Sequence, residues 1–113
     1  MIQILHNNRC GKSRTALQIL EEKSIPFEVI EYLKNPLTEK EIKTLLKKLQ
    51  LQPIDMMRTK ESIFKELFDN TTPSDEQLIQ AMVAHPILIE RPIVINGDKA
   101  IIARPPELAL EVI

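Results

Sequence analysis

The chain contains one cysteine, two histidines and two glycines in 113 residues. A single cysteine excludes an internal disulfide, so any redox cycle must draw on a thiol from outside. With no Cys/His cluster at ligand spacing there is also no case for structural zinc. Glycine is scarce where one familiar motif needs it. Gly11-Lys12-Ser13 has the ending of a phosphate-binding loop, but His6 stands where that loop opens with glycine, which argues against nucleotide binding. No apolar run approaches membrane-spanning length. The opening Met1-Ile2-Gln3-Ile4-Leu5 has neither a basic n-region nor a long apolar h-region, so the expectation is a cytoplasmic protein with no membrane partner. A formal net charge of −1 gives no global drive toward nucleic acid. Internal repeats and low-complexity linkers are missing too.

What is present suits one soluble globular domain over residues 1–113, with 43% hydrophobic and 27% charged residues. Ile2, Ile4 and Leu5 read as a buried strand. Ala16, Leu17 and Leu20 follow at helical spacing between Ser13 and Lys23, and Phe27-Glu28-Val29-Ile30-Glu31-Tyr32 alternates as a second strand. The right-handed crossover of such a β-α-β unit makes its two strands parallel. Thr38-Glu39-Lys40-Glu41 is a capping box for a helix carrying Ile42, Leu45, Leu46 and Leu49. Short helical pieces follow, with Ile63, Phe64, Leu67 and Phe68 on one face, then a helix capped by Ser74 and ended by Pro86. Ile93-Val94-Ile95, the hairpin signal Asn96-Gly97 and the returning strand Ala100–Ala103 lead to a closing helix that starts at Pro105-Pro106. The expected class is α/β: a four-stranded mixed sheet with flanking helices, laid out as a thioredoxin-like fold. Its elements occupy about 1–34 and 86–113, with a helical insertion over about 37–85.

Cys10 lies where the first strand gives way to the first helix, with His6, Arg9, Lys12 and Arg14 within four residues. Unpaired N–H groups and the positive dipole end of a helix start favour the thiolate, and such surroundings lower a cysteine from roughly 8.5 to about 3.5–7.5. A free cysteine can also be a small buried hydrophobe, but Asn8, Arg9, Gly11 and Lys12 are not core formers. The arginine of a cysteine phosphatase follows its nucleophile by six residues, where this chain has Ala16. A Cys-x-x-Cys pair would need cysteine at position 13, which is Ser13. The Ser13 hydroxyl is open to two uses, donating to a thiolate or capping the helix. Arg58, Arg91 and Arg104 each adjoin a proline or chain-reversing element; each taken singly reads as a solvated charge, while guanidinium forks suit tetrahedral oxyanions. His85 before Pro86 reads as the end of a helix rather than as an acid or base.

His6-Asn7-x-x-Cys10-Gly11-x-Ser13-Arg14, the segment His85–Val94 with Arg91-Pro92, Tyr32-Leu33-x-x-Pro36-x-Thr38, Arg58 and Arg104-Pro105 together resemble the glutaredoxin-dependent arsenate reductase family over essentially the whole chain. The resemblance implies that Cys10 attacks arsenate to form a covalent thiol-arsenate and that His6 helps keep it ionised. It also implies that Arg58, Arg91 and Arg104 surround the oxyanion, with Gly11, Ser13, Arg14 and Pro92 in support and a cis bond before Pro92. Glutathione is then a co-substrate, glutaredoxin the protein partner and arsenite the product, with no tightly bound cofactor or metal; a monomer is expected. Spx-like regulators that bind RNA polymerase share the fold and offer the alternative function, as does a glutathione-linked reductase of another substrate. Two positions depart from the family's common motif: Asn8 replaces a proline and Lys12 a threonine.

Overall fold

Apolar residues at alternating positions of the first strand and at helical spacing after it build one core, and the rest of the sheet is added to it. In the computed structural model, which describes residues 1–113, the chain forms two compact units, Met1–Asn35 with Arg91–Ile113, and Pro36–Glu90. The first unit holds strands β1 (Ile2–Leu5), β2 (Phe27–Ile30), β3 (Ile93–Asn96) and β4 (Lys99–Ile102), and helix α1 (Gly11–Glu22). The sheet order is β2-β1-β3-β4. β1 runs parallel to β2, as the β-α-β reading expects, and antiparallel to β3, which pairs antiparallel with β4. This mixed four-stranded sheet is thioredoxin-like.

Ile2 and Ile4 of β1, Ala16 and Leu20 of α1, and Val94, Ala103 and Ala109 form one buried cluster, edged by Leu17, Phe27 and Ile101. Full burial of a side chain such as Leu20 contributes about 1.5–3 kcal/mol, which fixes α1 against the sheet. The hairpin loop is Gly97-Asp98, one residue later than the Asn96-Gly97 expected, because Asn96 still pairs with Lys99. Gly97 takes the left-handed conformation, φ 62°, that starts this tight reversal.

The closing element corrects the expected helix: Pro106–Glu111 is a 3₁₀ helix. Its bonds run three residues back, from Leu108 N–H to Pro105 O (3.0 Å) and from Val112 N–H to Ala109 O (3.4 Å). Side chains three apart eclipse in this winding, so Pro106 and Ala109 are buried together with Val112 partly covered behind them.

The second unit is helical: α2 (Glu39–Leu49), α3 (Ser62–Phe68) and α4 (Asp75–Ala84) with 3₁₀ turns at Pro53–Met56 and Pro86–Leu88. Ile42, Leu45 and Leu46 of α2 pack with Leu78, Ile79 and Met82 of α4. The segment before Arg91 belongs here because Met57 bridges Ile89, and backbone bonds join Arg58 N–H to Leu88 O (2.7 Å) and Glu90 N–H to Met56 O (2.9 Å). No helix is long and apolar enough to cross a membrane.

Candidate active site

Parallel pairing of β1 with β2 delivers the chain at Leu5 and Ile30 to the same edge of the sheet. From there His6 to Cys10 forms a loop that ends at the start of α1. Cys10 is the N-cap residue, in extended conformation and without a side-chain cap bond. Its N–H donates to Asn7 O (2.9 Å) and its carbonyl accepts from Arg14 N–H (3.0 Å). The first turn of α1 carries no acidic residue, which leaves the positive end of the helix to the sulfur.

Partial burial works against a charged sulfur. The backbone N–H groups of Ser13 and Lys12, and hydrogen bonding and charge from Arg91, outweigh that penalty and hold the Cys10 thiol below the ordinary cysteine range. Arg91 is itself only 9% exposed, so its charge acts with little screening by water. Arg104 Nη1 lies 4.0 Å from Cys10 Sγ and donates to Arg91 O at 2.9 Å. Both arginines precede cis-prolines, Arg91–Pro92 and Arg104–Pro105, and Ala103 N–H donates to Pro92 O at 2.9 Å, joining the two segments. Cys10, Arg91 and Arg104 thus form one cluster, although they lie far apart in sequence.

Around this cluster the loop is tied by polar side chains. Ser13 Oγ, fully buried, accepts the Asn7 N–H at 3.0 Å and lies 2.7 Å from His6 Nδ1. Its oxygen is thus taken up by His6 and Asn7, a use other than capping α1 or bonding the sulfur. His6 Nε2 in turn lies 2.6 Å from Asn8 Oδ1, so both ring nitrogens are taken up by Ser13 and Asn8. Asn7 Oδ1 accepts Arg9 N–H at 2.9 Å, and Arg14 Nη1 donates to Asn8 O at 2.8 Å, which makes Arg14 a brace of the loop. A Cβ on Gly11 would meet Arg14 Nη2 at 3.7 Å, an ordinary contact, so space alone does not reserve that position for glycine.

Arg58 lies in the second unit, where its Nε bonds Glu61 (3.2 Å) and its Nη1 bonds Glu90 (3.3 Å). His85 ends α4 with its N–H on Ala81 O (2.8 Å), as its position before Pro86 suggests. It lines an apolar groove of about 380 Å³ with Leu67, Phe68 and Ala84. No group of three or more His, Cys, Asp or Glu residues is placed to hold a metal. The sequence alone marks Asn8 as a polar neighbour of Cys10 and a departure from the family's motif, and gives no role to Glu31, whose Oε1 accepts from Asn8 Nδ2 at 3.2 Å. The one available signal was the parallel register, which carries Glu31 just past Ile30, the acceptor of His6 N–H (3.0 Å).

The model of the ArsC family matches residues 5–112. The chain is 46% identical to an arsenate reductase of Haemophilus influenzae over 112 residues, covering 97% of each protein. Among solved structures it superposes on an arsenate reductase from Vibrio cholerae with TM-score 0.94 and 43% identity, covering 99% of this chain and 97% of that one. A putative arsenate reductase from Yersinia pestis gives TM-score 0.93 at 43% identity, over 99% and 100% of the two chains. With its thioredoxin-like sheet and its single cysteine at the start of α1, the chain belongs to the ArsC family.

Proposed function

We propose that the protein is an arsenate reductase that works through a covalent Cys10 thiol-arsenate, with glutathione and glutaredoxin as reductants. The observation that carries this is a cysteine at the start of α1 whose thiol is held low by helix N–H groups and the Arg91 charge, with Arg104 Nη1 4.0 Å from its sulfur. Attack of one anion on another is opposed unless fixed cations hold both, and Arg91 and Arg104 supply such cations.

In this reading Cys10 Sγ forms a bond to As(V) and an arsenate oxygen leaves as water, taking its protons from the substrate and solvent. Glutathione sulfur then replaces a second oxygen, again released as water. A glutaredoxin thiolate attacks the glutathione sulfur; the S–As bond to glutathione breaks toward arsenic, which gains two electrons and becomes As(III), while the two outside thiols are oxidised to a mixed disulfide. Hydrolysis of the remaining S–As bond releases arsenite and returns the Cys10 thiolate. The chain's one cysteine accords with this dependence on two external thiols.

For Arg58 the family resemblance alone carries the expectation of oxyanion contact; its observed bonds are to Glu61 and Glu90. Purified full-length protein supplied with arsenate, glutathione and glutaredoxin is expected to release arsenite. No arsenite under these conditions, or turnover that survives Cys10→Ser, would overturn the proposal.

A further inference from the structure

We propose that Glu31, acting through Asn8, locks His6 as its Nε2–H tautomer and thereby commits the Ser13 hydroxyl to His6 instead of to the Cys10 sulfur. This goes beyond the proposed activity and stands whatever oxyanion the site takes, because it concerns a hydrogen on His6.

His6 is 3% exposed, with Ser13 Oγ 2.7 Å from Nδ1 and Asn8 Oδ1 2.6 Å from Nε2. A neutral imidazole carries a single ring hydrogen, so one nitrogen donates and the other accepts. Serine can serve either role, and an amide can turn over to present NH₂ or oxygen. The choice is made one residue further out. Asn8 Nδ2 donates to Glu31 Oε1 at 3.2 Å. A carboxylate only accepts, so it selects the NH₂ edge of the amide; the turned amide would set oxygen against oxygen. Asn8 Oδ1 consequently faces His6, and Nε2 must carry the hydrogen. Lys34 Nζ, 3.5 Å from the same Glu31 oxygen, adds a cation beside that carboxylate.

The rest of the chain of bonds follows. In the neutral ring Nδ1 of His6 is then left with a lone pair, which takes the Ser13 hydroxyl hydrogen, while Ser13 Oγ accepts the Asn7 N–H at 3.0 Å. The sulfur keeps the Ser13 and Lys12 backbone N–H groups and Arg91. Glu31, Asn8, His6, Ser13 and the Asn7 backbone thus run in one directed series that ties both ends of the loop before α1. A proline at this position would offer no side-chain acceptor to Nε2–H, so the series depends on Asn8. Glu31 and Asn8 are positioning residues, acting through His6 and Ser13.

The test is ¹⁵N NMR of the histidine-labelled full chain at alkaline pH, with His85→Gln identifying which signals belong to His6. The expected result is a single Nε2–H signature for His6. In Glu31→Ala and Asn8→Ala an Nδ1–H population should appear. Both residues lie at the surface of the loop or only half buried, so the variants keep the fold. An Nδ1–H tautomer in the unsubstituted protein would overturn the proposal, as would a pure Nε2–H signature in both alanine variants. Loss of arsenate turnover with the tautomer intact would instead count against the proposed function.

Discussion

Three helices of this protein begin in the same way geometrically and differ in what their first residue does. α2 starts on Thr38 and α4 on Ser74; in each, the side-chain oxygen accepts from the N3 backbone at 3.2 Å, and the N3 side chain, Glu41 or Gln77, accepts from the N-cap N–H at 2.9 or 2.8 Å. Their first turns also carry acids, Glu39 and Glu41 in α2, Asp75 and Glu76 in α4. α1 starts on Cys10 and has neither a side-chain cap bond nor an acid in its first turn. The donors that stabilise the helical insertion by capping are, at α1, left to polarise a sulfur. One structural feature therefore serves stability in one unit and reactivity in the other.

Replacing the sulfur breaks the comparison most completely. Cys10→Ser is expected to abolish arsenite formation in the coupled glutathione and glutaredoxin assay while circular dichroism shows the fold retained. Next in size is the loss of a fixed cation. Arg91→Ala should lower kcat/KM for arsenate by about 10²-fold or more, the usual effect of removing one preorganised donor, and should raise the pH midpoint of Cys10 alkylation. Arg104→Ala, removing a group 4.0 Å from the sulfur, should have the smaller effect of the two on both measurements.

The capped helices give the converse. Thr38→Ala should cost about 1 kcal/mol in urea denaturation and leave Cys10 alkylation unchanged, because the donor it frees belongs to α2. Smallest is the linkage of Cys10 itself to stability. Its thiol is held lower in the fold than in the unfolded chain, so the thiolate's contribution is fully present above the unfolded value of about 8.5 and is lost as pH falls through the folded value. Denaturation of the unsubstituted protein and of Cys10→Ser across that range should show the former gaining relative stability as pH rises.

The parts of this comparison that depend on neighbours in sequence could be read before any coordinates. The Thr38 box and the position of Cys10 between strand and helix are set by residues within a few positions of each other, and the parallel β-α-β pairing by the handed crossover of consecutive elements; all three are present. What was hidden depends on contacts across the sheet. Ser13 looked equally suited to capping or to bonding the sulfur, and only its burial between His6 and the Asn7 N–H shows a third use. Glu31 reads as an ordinary polar position of an alternating strand, and gains meaning from the register that sets it beside Asn8. The closing 3₁₀ winding is concealed in the sequence because Pro105-Pro106 opens an α-helix equally well, and only the three-residue bonds, Leu108 N–H to Pro105 O and Val112 N–H to Ala109 O, distinguish the two.

The central claim is that the uncapped start of α1, with Arg91, holds Cys10 as a thiolate. The pH dependence of Cys10 alkylation measures it directly, since the chain has no other cysteine to interfere. The expected midpoint lies clearly below the ordinary value of about 8.5. A midpoint at or above that value would contradict the account.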